Sequence, residues 1–291
     1  MQRVQPHADP RAGVGLNRLT LEATRAAWDN IAAGYDTTNT ETQQWLGSES
    51  VRRAGLRAGM RFLDVAAGSG ALSLPAARLG AKVLATDLSP AMLTLLRDRA
   101  LKEHLDLETR VMDGHNLELE SNTFDMVGSQ FGVMTFVDQS RGIVEMTRVV
   151  KPGGRVLMSV YGPPAQIDFL GFFVSAVRSV RPDFVPPMDP PPSEFRLADP
   201  EKLRRELAEA GLESVRVDQI TEYTEFKSPQ FLWEWIICSN PIVERILGML
   251  KVARDERATI AEAIRVLWEK RAASTGVAIL AAPINIGWGT K

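Results

Sequence analysis

Three carboxylates and one run of small residues stand out as groups able to do chemistry. Asp64 ends the apolar run FLDV, and four residues later Gly68-Ser69-Gly70 begins. Glycines at 68 and 70 let the backbone turn sharply and approach a ligand closely. A dinucleotide fingerprint needs a third glycine for close packing, and here that register holds Ser73. No G-K-[ST] follows, so a phosphate-cradling P-loop is excluded as well. A carboxylate ahead of the loop would repel a pyrophosphate and suits a cationic or hydroxyl-bearing ligand. Asp87 ends a second apolar run, KVLATD, where a carboxylate can take both hydroxyls of a ribose; the simpler role of a cap for the helix that starts at Ser89-Pro90 is open. Asp113, in RVMDGHN, is either a third ligand group or an ordinary Asp-Gly turn.

These residues need a frame that brings them together. The spacing predicts helices over 19–36 and 41–55, a strand at 61–66, a helix at 71–79 and a strand at 82–87. A helix opens at Ser89-Pro90, with the serine as cap and the proline at its first position. Strands follow near 107–112 and 123–130, then a helix over 138–149. Lys151-Pro152-Gly153-Gly154 is expected to turn into the strand 155–162. Strict strand–helix alternation favours a parallel sheet covered on both faces. Such sheets bind ligands at the carboxyl ends of their strands, where Asp64, Asp87, Asp113 and Ser129 all fall. The later chain reads as the proline-dense stretch RPDFVPPMDPPPSEFRLADP, a helix ending in glycine, the strand ESVRVDQI, some forty mostly helical residues, and a last strand in TGVAILAAPINIGW.

Four segments in this order resemble the class I S-adenosylmethionine-dependent methyltransferases. FLDVAAGSG is similar to that family's D-x-x-x-G-x-G loop, VLATDLSPAML to its second-strand segment, RVMDGHNLELESNTFDMV to its third and fourth, and VVKPGGRVLMSVY to its fifth. The resemblance covers about 25–285, is strong over 60–160, and lies nearest the small-molecule subgroup of ubiquinone and menaquinone biosynthesis type. It implies a Rossmann-like α/β fold with a mostly parallel seven-stranded sheet, helices on both faces and helical lid insertions. It also implies S-adenosylmethionine as cofactor, S-adenosylhomocysteine as product, and no metal. Asp64 would lie near the methionine part of the cofactor, and Ala66, Gly68 and Gly70 would line it. Asp87 would take the ribose hydroxyls, with Leu88 beside the adenine. Asp113 would accept from the adenine amino group, with Gly114 and His115 adjacent. Ser129, Gln130 and Phe131 would close the other side, and Tyr35 is similar to a tyrosine that reaches the cofactor carboxylate. Ala67 stands where many members have cysteine or glycine.

A methyl group on a sulfonium is already activated, so alignment of an acceptor supplies much of the acceleration. Three residues are candidates for moving or holding a proton: His115, Tyr35 and Tyr161. Substrate choice is expected in two insertions, 163–198 and 227–272. Phe169, Phe172, Phe173 and Val177 share one helical face, and Phe231, Trp233, Trp235 and Ile236 cluster, with Trp268 further on. A lid closing over an apolar or aromatic small molecule is the expectation. The acceptor atom (oxygen, nitrogen or carbon) stays open. The alternatives are a methyltransferase for RNA or protein and a non-catalytic cofactor-binding scaffold.

With 291 residues and 45% hydrophobic content, the chain can bury a large core. One methyltransferase domain over 19–291 is expected, behind a flexible arm at 1–18 that lacks the apolar centre of a secretory signal. A formal charge of −2, from 34 basic and 36 acidic residues, argues against a nucleic-acid partner. No run of eighteen apolar residues suggests a membrane span. Cys238 is the single cysteine, so no intrachain disulfide exists and a reducing, cytoplasmic setting is expected. The histidines show no metal spacing. A homodimer is one option for assembly.

Overall fold

The computed structural model describes residues 20–186 and 188–291. The expected arm at 1–18 lies outside the described residues. Five strands come first: β1 (Arg61–Val65), β2 (Lys82–Asp87), β3 (Leu107–Val111), β4 (Phe124–Gln130) and β5 (Val150–Tyr161). Two longer ones follow, β6 (Glu213–Phe226) and β7 (Ala278–Thr290). The sheet order is β3-β2-β1-β4-β5-β7-β6. Strand β7 runs antiparallel to both its neighbours, and β1 to β5 pair in parallel. This is the doubly wound arrangement expected from the alternation.

The helices cover both faces. Helix α1 (Leu21–Tyr35) runs through a π-helical turn, Asp36–Thr40, into α2 (Glu41–Ala54). The two helices expected at the start are therefore one uninterrupted helical run. Helices α3 (Ser73–Arg78), α4 (Pro90–Lys102) and α5 (Gln139–Val149) lie between the early strands. Ser89 caps α4, its Oγ accepting from Met92 N at 3.1 Å. Asp29 then locks α1 to that cap: its Oδ1 accepts from Ser89 Oγ at 2.5 Å and from Ala91 N at 3.3 Å. The segment 151–154, expected as a turn, lies inside β5 as an irregularity. Phe124 pairs with Val150 and Met126 already pairs with Arg155, so the extra residues bulge out.

The main core fills both sides of the sheet around Phe62, Leu63, Val127, Ile143, Val156, Leu157 and Ile286, all fully buried. A second core belongs to the insertions. The first carries α6 (Asp168–Val177), followed by α7 (Pro200–Glu209); the second carries α8 (Pro229–Ser239), α9 (Pro241–Met249) and α10 (Arg254–Ala272). Phe173, Phe226, Leu232, Trp235, Leu247, Ile260 and Ile264 pack together there. Among the described residues no helix is long and apolar enough to cross a membrane.

Candidate functional site

Each early strand delivers its last residues to the same edge. Asp64, Ala66, Ala67, Gly68, Asp87, Leu88, Asp113, Gly114, His115, Gln130 and Phe131 all line one cleft there. The loop after β1 is sharply wound. Ala66 and Gly68 both have φ of +55°, and Phe131 at the end of β4 has +56°. A left-handed backbone at a non-glycine residue is held only where its surroundings demand it, and such residues gather at binding sites.

Asp64 is fully buried. Ser73, the residue in place of the third glycine, donates to its Oδ2 at 2.5 Å. Its Oδ1 has no partner. Burial pushes its pKa up to about 7, against the Ser73 hydrogen bond and with some help from the charge of Asp87. Asp87 ties two elements together: Oδ2 accepts from Gly68 N and Oδ1 from Ser89 N, both at 2.8 Å. Burial lifts its pKa to about 6, opposed by those backbone bonds. Asp87 thus shapes the loop and flanks the cap, and it also faces the cleft. Asp113 Oδ1 accepts from His115 N at 3.0 Å and lies 2.7 Å from His115 Nδ1. The imidazole packs on Phe136 with centroids 4.4 Å apart and the rings tilted by 30°. Its Nε2 is buried without a partner. Gln130 Nε2 donates to Gln43 O at 3.1 Å and its Oε1 is likewise orphaned.

Two expected ligand residues take other roles. Gly70 does not line the cleft. With φ of +106°, it lets Leu96 and Leu74 close over it, and a Cβ there would sit 2.4 Å from Leu96 Cδ1. Ser129 points inward as a brace: its Oγ donates to Val65 O at 2.8 Å and accepts from Val133 N at 3.1 Å. Its hydroxyl is spent on fixing the β1 and β4 ends to each other.

A second cavity of about 610 Å³ adjoins the cleft, walled by both insertions. Trp28, Tyr35, Phe131 and Thr135 line both spaces. Tyr35 Oη donates to Gln43 Oε1 at 3.1 Å. Tyr161 lines only the chamber and stacks on Phe131, centroids 4.4 Å apart. Burial raises the pKa of both tyrosines well above the ordinary phenol range, helped by carboxylate charges nearby. Both hydroxyls therefore stay protonated and can orient a partner, but are poor bases. His115 lines the cleft and is absent from the chamber wall.

The aromatic insertions divide. Phe169 and Phe173 line the chamber. Phe231, Trp233, Trp235 and Ile236 instead belong to the second core, with Trp235 edge-on to Phe169 at 4.9 Å and to Phe226 at 5.5 Å. Trp268 Nε1 donates to Phe226 O at 2.7 Å. Sequence reasoning missed Trp28, Thr135 and Glu194 as wall residues. Glu222 on β6 is buried with one oxygen unpaired, and burial lifts its pKa to about 7. Among the described residues no group of three or more His, Cys, Asp or Glu could hold a metal ion.

Comparison with known proteins gives three kinds of relative. Residues 63–158 match a family model described as a methyltransferase domain. An uncharacterized protein of Mycobacterium tuberculosis is 37% identical over 175 residues, which are 60% of this chain and 61% of that protein. The chain thus spans less than two thirds of that curated relative's length. A demethylmenaquinone methyltransferase of Corynebacterium urealyticum is 30% identical over 223 residues, 71% of this chain and 94% of that enzyme. In fold, the crystal structure of a putative methyltransferase from Bacillus halodurans superposes with a TM-score of 0.55 at 20% identity, covering 84% of this chain and 98% of that one.

Proposed function

We propose, from the premise that the chain belongs to the class I S-adenosylmethionine-dependent methyltransferase family, that it transfers a methyl group to a small apolar or aromatic acceptor. The observation that carries this is the joining of two spaces through one wall. A cleft with carboxylates at three strand ends opens past Trp28, Tyr35, Phe131 and Thr135 into an apolar chamber.

The cleft residues suit the cofactor. The orphaned buried acceptors Asp64 Oδ1 and Gln130 Oε1 fit an ammonium-bearing ligand better than an anionic one. Asp87 suits the ribose hydroxyls, and Leu88, Met112 and Phe136 give an apolar slot for a purine beside Asp113 and His115. S-adenosylmethionine, when bound, supplies an electrophilic methyl group. The chain's own residues do the remaining work. Phe131 and Tyr161 stack as a flat wall at the junction, restricting how a planar acceptor can lie. The protonated Tyr35 and Tyr161 hydroxyls orient its polar atoms. The segments 163–198 and 227–272 act as the lid that keeps water out.

A walled apolar chamber supports a small molecule over RNA or protein, as does the net charge of −2. A cytoplasmic setting belongs to this reading through the single cysteine. The test is calorimetric. S-adenosylmethionine should bind the full chain, and Asp87→Ala should weaken that binding by about tenfold or more, the loss of hydrogen bonds to a charged acceptor. Equal affinity in the variant would overturn the site assignment.

A further inference from the structure

The chamber holds one buried charged group that methyl transfer, as derived above, leaves unused. Its wall is largely apolar, formed by Met134, Ile167, Phe169, Phe173, Val243 and Ile246. Glu194 stands in that wall, only 9% exposed, on the short 3-10 turn Ser193–Phe195. A buried carboxylate is costly unless something pairs with it. Asn240 Nδ2 donates to its Oε1 at 3.1 Å, and Ser193 Oγ donates to its Oε2 at 3.3 Å. Its own backbone N–H is a further donor and the Arg245 charge acts on it from the same side recess, so every neighbour favours the group as an acceptor. A carboxylate has about four lone-pair sites, so acceptor capacity is left over on the cavity side.

The position is fixed. Gln139 Nε2 donates to Ser193 O at 2.7 Å, pinning the turn to α5. Glu194 comes from the first insertion and Asn240 from the second, so the pair exists only where the two meet. It is also close to the junction. Trp28 and Thr135 line the cleft, the chamber and a small polar recess that Glu194, Asn240 and Arg245 share. The other charged residue of the chamber wall, Arg178, is exposed and donates to Phe184 O at 3.0 Å.

We propose that Glu194 is the specificity-determining residue of the chamber, accepting a hydrogen bond from a hydroxyl or amine carried by an otherwise apolar acceptor. This rests on the methyl-transfer reading only in assigning the chamber to the acceptor. A hydrocarbon without a donor leaves the carboxylate underpaired. A molecule bearing its own carboxylate is rejected, because two anions would be desolvated side by side. The substrate class is therefore an apolar, neutral or cationic molecule with an O–H or N–H group.

Three probes of one skeleton test this on the full chain with saturating S-adenosylhomocysteine: 2-naphthol, naphthalene and 2-naphthoate, followed by quenching of tryptophan fluorescence. The wild type should bind 2-naphthol about fivefold or more tighter than naphthalene and should reject 2-naphthoate. Glu194→Leu should erase the naphthol preference while keeping naphthalene affinity. Glu194→Gln should keep the preference through its amide oxygen and admit 2-naphthoate, which decides the matter if the leucine variant does not fold. S-adenosylhomocysteine affinity should stay within about twofold across the folded variants, since Glu194 lies outside the cofactor cleft. An unchanged preference in Glu194→Leu, acceptance of 2-naphthoate by the wild type, or binding of none of the probes overturns the proposal. A wild type that binds the naphthol but not S-adenosylhomocysteine sinks the methyl-transfer reading instead, and the same probes without cofactor still decide the role of Glu194.

Discussion

Asp64 is a carboxylate held in a place that penalises its charge, and pH reveals the cost. Its pKa of about 7 in the folded chain lies above the usual 3.8. The folded state therefore keeps a proton that the unfolded state has lost between about pH 4 and 7. Stability contributed by that proton is full at low pH and disappears as pH rises through 7. Asp64→Asn removes this dependence. Its melting temperature relative to wild type should rise between pH 5 and pH 8, by an amount reflecting on the order of 2–4 kcal/mol. A difference that stays flat would mean the buried charge costs folding nothing. Cofactor affinity in the wild type should move the other way, tightening as Asp87 and Asp64 ionise through about pH 6 to 7. At this scale the sequence was informative where a residue type has few uses. A carboxylate ending an apolar run, followed by Gly68, reads as a ligand group without any structure. Ser129 was not legible in the same way: a strand-end serine can face a ligand or its neighbouring strand, and only the position of Val65 O decides. Glu194 carried no local signal at all, because its meaning depends on Asn240, 46 positions away.

The elements are fitted tightly enough that small changes between them should be felt at the cleft. Gly47 in α2 lies against the loop after β1, and a Cβ there would stand 2.1 Å from Ala71 O. Alanine normally stabilises a helix interior over glycine by about 1 kcal/mol. Here the clash is with backbone, which cannot swing aside. Gly47→Ala should lower stability by about 1–3 kcal/mol and weaken cofactor binding, because Ala71 and Leu72 line the cleft. A denaturant midpoint equal to or above wild type would contradict this packing. The early elements were readable because apolar runs, caps and glycine turns act over a few residues. The π-helical joint at Asp36–Thr40 was not. No breaker marks it, and it is fixed by distant contacts: Arg99 donates to Asp36 Oδ1 at 2.5 Å and to Asp36 O at 2.8 Å. The aromatic cluster at 231–236 was legible as apolar, with core the ordinary use of such a stripe and a pocket wall the other, and the choice between them is made by its contacts with Phe226 on β6 and Phe169 on α6.

For the whole molecule, the two cores allow the two halves of the site to be perturbed separately. Trp235 is 4% exposed and bridges Phe169 to Phe226. Trp235→Ala should cost about 3–5 kcal/mol within the second core. It should abolish methyl transfer while leaving S-adenosylhomocysteine affinity within about threefold, measured by calorimetry; loss of both together would mean that lid and sheet fold as one unit. The order of the strands has a further consequence, for synthesis. β7 lies between β5 and β6, yet it is the last of the three to leave the ribosome. Until residues 278–290 emerge, β6 has no strand beside it and β5 is paired on one edge alone. A nascent chain can pair β1 to β5 and form the edge that carries the cleft well before the second cavity has walls. The aromatics of 163–198 and 227–272, exposed in that half-built molecule, are the surface on which a chaperone would first be needed.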